Sequence, residues 1–260
     1  MKIAVLVKHV PDATGERSFA ADGTVDRAAT DGLLSELDEY ALEQALQIAD
    51  DRDDVEVVAL TLGPEDAADA IKRSLQMGAS AGIHIIDDAV HGSDALATST
   101  VLAEAVKKAA PDLVICGMAS TDGTMGVIPA MIAERLGWAA ATLGATLSVA
   151  DDHLTIRRDT DVASLEIEAG LPAVVSVTDQ SGEARYPSMK GILAAKKKPV
   201  ESWTLADLGI DRTTVGLDAA SSKVLQTTPR PPKEAGRVVV DEDGAGSAAL
   251  VEFLTAGKYI

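Results

Sequence analysis

Three segments could bring a phosphate-bearing ligand to one place in this 260-residue chain. Val7-Lys8-His9-Val10-Pro11-Asp12 follows a first apolar run, Leu60-Thr61-Leu62-Gly63-Pro64 ends a second, and Cys116–Gly126 follows a third. The last reads Cys-Gly-Met-Ala-Ser-Thr-Asp-Gly-Thr-Met-Gly. Gly, Ser and Thr at this density let backbone N–H groups approach a phosphate at a helix start. Ligands of open α/β sheets bind outside the carboxyl ends of the strands, so the three segments share one nucleotide-sized crevice. An ordinary strand-to-helix turn has the same composition, so each segment taken alone decides nothing.

Groups for bond-breaking chemistry are missing. The chain has no G-x-x-x-x-G-K-[ST] loop and no G-x-G-x-x-G opening. It also lacks a Ser-Gly-Gly-x-Asp-Ser loop and a nucleophile elbow. His9, His84, His91 and His153 have no metal-ligand spacing and read as local structure. Asp122 stands without a paired base and reads as a loop hydrogen-bonder. The lone Cys116 ends an apolar run as a small core residue and excludes an internal disulfide.

A second kind of site lies at residues 183–198, Glu-Ala-Arg-Tyr-Pro-Ser-Met-Lys-Gly-Ile-Leu-Ala-Ala-Lys-Lys-Lys. The chain carries a formal charge of -18, from 41 acids against 23 Lys and Arg. Lys190, Lys196, Lys197 and Lys198 nevertheless cluster beside an Arg-Tyr-Pro turn and apolar residues. A solvated helix end has that charge pattern too; the neighbouring apolar residues favour a docking surface. The acidic excess keeps a protein soluble but repels itself in the compact state. Salt screens that repulsion, so a salt-adapted cytoplasm is the expectation, with an ordinary acidic protein as the alternative. No broad basic face exists, so nucleic acid is not an expected partner. Neither a signal peptide nor a run long enough to cross a membrane is present.

The elements that must position these sites alternate. Ile3–Val7, Val55–Leu62, Leu113–Cys116 and Ala173–Val177 are short continuous apolar runs, as in buried parallel strands, and Gly82–Ile86 is a further candidate. Helices are predicted over 33–49, from Pro64 to about 77, over 94–109 with Ser93 as cap, and over 124–136. The fold class is therefore α/β: a doubly wound, mostly parallel sheet. After Gly137 a hairpin is predicted from 147–149 and 154–158, with 162–169 pairing beside it. From Thr227 a Pro-rich arm leads to Arg237–Val240 and a short helix over 247–254. Residues 1–210 form the nucleotide-binding unit, and 211–260 form an arm that packs on a partner. Hydrophobic residues make up 47% but aromatics only 3%, so the core consists of many small aliphatic contacts.

These pieces resemble the β subunit of electron transfer flavoprotein over residues 1–210. Val7–Asp12 is similar to its Val-Lys-x-Val-Pro-Asp element, and Leu37–Ala45 to its first helix. Leu62-Gly63-Pro64, Met77-Gly78-Ala79, Leu171–Val177 and Glu183–Lys198 follow in the family's order. Asp161-Val162-Ala163 departs from the family's Gly-Gly turn. The resemblance implies an αβ heterodimer whose α subunit holds FAD. That flavin takes electrons from acyl-CoA and related dehydrogenases, as in fatty acid oxidation, and passes them to a membrane quinone oxidoreductase. It further implies a structural AMP in this subunit, contacted by Leu6, Lys8, Ser35, Leu62, Ser120, Thr121, Asp122, Gly123, Thr124, Met125 and Gly126. The flavin-side aromatic of many relatives falls on Leu37 and is absent. The docking loop falls on Tyr186–Lys196, with Met189 as anchor and Tyr186, Lys190, Ile192 and Lys196 around it. The chain is then an electron-carrier subunit, not an enzyme in its own right. A bifurcating variant that binds a second FAD shares the Asp122-Gly123 start but not the polar pattern that follows. A stand-alone adenine-nucleotide-binding regulator is the remaining alternative; the arm and docking segment argue against it.

Overall fold

The structure is a computed structural model that describes residues 1–228, 231, 236, 238–241 and 244–260. The chain begins with β1 (Lys2–Leu6), β2 (His9–Pro11), β3 (Gly32–Leu34), α1 (Glu36–Asp51) and β4 (Glu56–Leu62). α2 (Ala68–Met77), β5 (Ala81–Ile85), α3 (Ala95–Ala109), β6 (Leu113–Gly117) and α4 (Ile128–Leu136) continue the alternation. β7 (Ala139–Gly144), β8 (Thr146–Val149), β9 (His153–Asp159), β10 (Ser164–Gly170) and β11 (Ala173–Val177) form the β-rich section. α5 (Met189–Ala195), β12 (Val200–Trp203) and α6 (Gly246–Ala256) complete the described elements.

Seven strands build one parallel sheet in the order β12-β5-β4-β1-β6-β11-β7. β1 lies at its centre, and alternate side chains enter two cores. Ile3 and Val5 meet α1 and α2 on one face, while Ala4 and Leu6 meet α3 and α4 on the other. Burial on both faces is why this strand and β4, β6 and β11 are continuously apolar. β8, β9 and β10 form a separate antiparallel sheet, as the hairpin patterning predicts.

Several boundaries differ from expectation. Residues 32–34 are a strand paired with β2, so α1 starts at Glu36 rather than at 33. α4 starts at Ile128 rather than at 124, because Thr124 and Gly126 take positive φ (56° and 65°), which breaks a right-handed helix. Asp94, not Ser93, caps α3, accepting from Ala97 N at 3.1 Å. β7 and β12 extend the sheet at its two edges without an apolar run to announce them. The chain divides into Met1–Leu225 and Gln226–Ile260. In the second unit α6 spans Gly246–Ala256, close to the predicted helix, and Phe253 stacks near Tyr259 at 6.0 Å between ring centroids. The Pro-rich stretch from Thr227 and the run to Val240 lie partly outside the described residues.

Candidate functional site

The chain leaves β1 toward β4 on one side and reaches β6 on the other, so strand order reverses between β1 and β6. A cavity of about 740 Å³ opens there, lined by Leu6, Val7 and Lys8 from the end of β1 and Cys116 and Gly117 from the end of β6. Leu60 and Leu62 add an apolar wall from β4. This is the crevice that the three segments predict, and its size is that of a small-molecule site.

Gly117 lets α1 approach β6. A Cβ there would sit 2.7 Å from Leu37 O and 2.5 Å from Asp38 Oδ1. Asp38 is thereby buried on the cavity wall, where its Oδ2 accepts from Lys8 N at 2.8 Å. Burial pushes its carboxyl up to about 7, against the Lys8 and Gly117 N–H groups that favour the ionised form. Cys116 is buried beside it, and burial together with the Asp38 charge pushes the thiol up. A thiol in that environment is inert packing.

The loop after β6 is organised by Asp122. Its side chain is only 2% exposed, and it accepts from Lys8 Nζ at 2.9 Å and Arg27 at 2.6 Å. Burial opposes ionisation, but Lys8, Ser120 and Arg27 outweigh it and hold the carboxyl well below the usual range. Arg17 donates to Thr121 O at 2.7 Å from the same 12–31 connection. Ser120 Oγ accepts from Gly123 N, and Thr124 N returns to Ser120 O. Among the described residues, the amides of Met125, Gly126 and Val127 donate to no other group. These free N–H groups, the Lys8 ammonium and the start of α4 can receive an anion. Leu60, Leu62, Leu102 and Met131 can flank a flat apolar ring.

Of the expected contact residues, Leu6, Lys8, Leu62, Ser120, Gly123, Met125 and Gly126 line the cavity. Thr121, Asp122 and Thr124 shape the loop from behind. Ser35 is fully buried, its N–H on Lys8 O at 2.9 Å and its Oγ without a hydrogen-bond partner. Sequence reasoning missed Asp38, the Ser93–Thr98 stretch at the start of α3, and Ser221 and Ser222. Only folding brings these to the crevice; the N-cap predicted at Ser93, one residue before the true cap, was the one local hint.

The 183–198 segment is built differently. Arg185 is fastened to Glu43 at 2.7 Å and Asp50 at 2.8 Å on α1. Ser188 caps α5 by accepting from Gly191 N at 3.0 Å. Gly191 packs so closely on Gln76 O at the end of α2 that a side chain would not fit. Lys198 donates to Leu75 O and Gly78 O at 2.9 and 3.1 Å, so it completes the α2 terminus and leaves the free cationic cluster. Tyr186, Met189 and Leu193 remain 89%, 74% and 60% exposed, with Lys190, Lys196 and Lys197 exposed among them. Ile192 is half-buried against the fold. Isolated exposed apolar residues are ordinary, whereas a cluster on an anchored turn is a candidate interaction surface.

Comparison with known proteins identifies the family. The electron transfer flavoprotein domain matches residues 22–208. The electron transfer flavoprotein subunit beta of Mycobacterium leprae (strain TN) is 47% identical over 264 residues, covering 99% of each chain. The subunit of the same description from Megasphaera elsdenii is 30% identical over 270 residues, covering all of both chains. The caffeyl-CoA reductase-Etf complex subunit CarD of Acetobacterium woodii is 31% identical over 240 residues, covering 92% of each. The chain therefore belongs to the electron transfer flavoprotein β-subunit family, whose role is electron transfer within a flavin-containing complex with an α subunit.

Proposed function

We propose that this subunit holds one AMP in the cavity between β1 and β6 and presents α5 to electron-donating dehydrogenases. The observation that carries the first half is the Asp122-organised loop, with free amides at 125–127 on the wall of a nucleotide-sized cavity. The AMP phosphate would sit on those amides near Lys8, and the adenine between Leu60, Leu62 and Met131. Such a ligand plays a structural part: it fills the switch point and ties β1, β6 and α4 together. FAD, held mainly by the α subunit, supplies the redox chemistry of the complex. The residues of this chain shape its surroundings and dock its donors, the acyl-CoA and related dehydrogenases. The onward acceptor is a membrane quinone oxidoreductase. Among the described residues no helix is long and apolar enough to cross a membrane, which suits a carrier that visits that acceptor from the cytoplasm. The charge of -18 suits a salt-rich cytoplasm.

Co-expression with the α subunit, purification, acid release and counting of nucleotides test this reading. One AMP and one FAD per heterodimer are expected. Two FAD and no AMP would assign the cavity to a second flavin. A stable lone chain that binds adenine nucleotide without an α subunit would assign it to a regulator.

A further inference from the structure

We propose that residues 216–224 are a latched strap that closes the mouth of the cavity and gates passage of its ligand. The gating half rests on the nucleotide reading above; the latch itself does not. After β12 the chain returns across the start of α3. Gly216 takes φ +84° and donates to Ser93 Oγ at 2.8 Å, and Leu217 N donates to His91 O at 3.1 Å. Leu217 packs on Gly92. Ser221 N and Ser222 N then both donate to Asp94 Oδ2, at 2.8 and 3.2 Å. Beyond them Val224 meets Gly23, in the same 12–31 connection that holds the phosphate-loop residues Thr121 and Asp122. Ser221 and Ser222 are part of the cavity wall.

The two oxygens of Asp94 have separate tasks. Oδ1 caps α3 through Ala97 N, and Oδ2 accepts from both strap amides. Partial burial raises this carboxyl, but the Ala97 cap amide, joined by the strap amides of Ser221 and Ser222, outweighs that cost and keeps it below its ordinary value, so the strap amides bind a charged acceptor. Little else holds the segment. Val215, 5% exposed, and the adjoining Gly216 are its last buried residues, and Leu217 to Leu225 are exposed or half-buried. A segment held by a few polar bonds and little apolar contact opens far below the free energy of global unfolding. Asp94 therefore sets how often the cavity opens while the sheet stays intact.

The test uses the αβ complex loaded with radiolabelled AMP and chased with unlabelled AMP. The Ser221→Pro/Ser222→Pro double variant deletes both strap donors and leaves the α3 cap untouched. Asp94→Asn is the second variant; Asn caps helices as well as Asp, but its amide lacks the charge of the latch. Both should release AMP about tenfold faster or more. Hydrogen exchange should accelerate in 216–224 and not in α3. Unchanged release in variants that retain AMP would overturn the gate, and unchanged exchange would overturn the latch. A wild-type complex that retains no adenine nucleotide would instead overturn the occupant, and with it the gating half. The exchange comparison then still decides the latch.

Discussion

Around the cavity, Lys8, Asp38, Gly117, Asp122 and Ser221 come from four segments spread over most of the chain, whereas Tyr186, Met189, Lys190 and Leu193 lie within eight consecutive residues. The first region is assembled from strand ends and sealed by buried charges. The second is one short helix laid on α2 and fastened at its edges by Arg185 and Lys198. The contrast implies a division of labour. Damage to the cavity should reach stability and ligand together, while damage to the tip of α5 should reach neither.

The sharpest way to break this contrast is at Gly117. Gly117→Val places a branched side chain against the Leu37 carbonyl, and backbone cannot yield as a side-chain end can. A cost above about 4 kcal/mol and loss of soluble complex are expected, read from yield and melting temperature.

Next is Asp38. Its folded pKa of about 7 lies above an unfolded value of about 3.9, so between those pH values the folded state binds more protons than the unfolded one. Asp38 therefore lowers stability progressively as pH rises from about 4 to 7, by about 4 kcal/mol in all. Asp38→Asn should remove this slope, as followed by denaturant melts across that range. An unchanged slope would show that Asp38 is ionised in its site.

Asp122→Ala should cost about 2 kcal/mol, because Lys8 and Arg27 lose their shared partner but keep access to water. AMP retention should fall with it. Since the Asp122 pKa is depressed on folding, its contribution is present above about pH 4 and fades as pH falls toward the lower folded value. The smallest effect is salt. The melting temperature should rise by a few degrees from low to molar KCl, where the Debye length is about 3 Å. A flat response would show that the acid excess is no salt adaptation.

The legibility of the two regions in the sequence follows from how each is made. β1, β4, β6 and β11 are buried on both faces, so their apolar runs can be read directly. β7 begins Ala-Ala-Ala, a poor strand signal, and β12 is an edge strand reading Val-Glu-Ser-Trp; only pairing with β11 and β5 makes them strands. The Gly-rich loop after β6 was visible by composition, but its shape depends on Thr124 in the left-handed region, which no local pattern announces. Asp38 lay unmarked within the predicted 33–49 helix; its burial depends on Gly117, nearly eighty residues away in the chain. The α5 surface was legible because it is contiguous, although the sequence alone assigned Lys198 to the docking charge rather than to the end of α2.

The division of labour is tested most directly at Met189 in the αβ complex. Met189→Ala removes the most protruding apolar group of α5 without touching its anchors. The account predicts that nucleotide content, flavin content and melting temperature stay as in the wild type. Affinity for a partner acyl-CoA dehydrogenase, read from the concentration dependence of electron transfer, should fall about thirtyfold. A lowered melting temperature with unchanged electron transfer per flavin would contradict it, placing Met189 in the packing of the fold and the docking surface elsewhere.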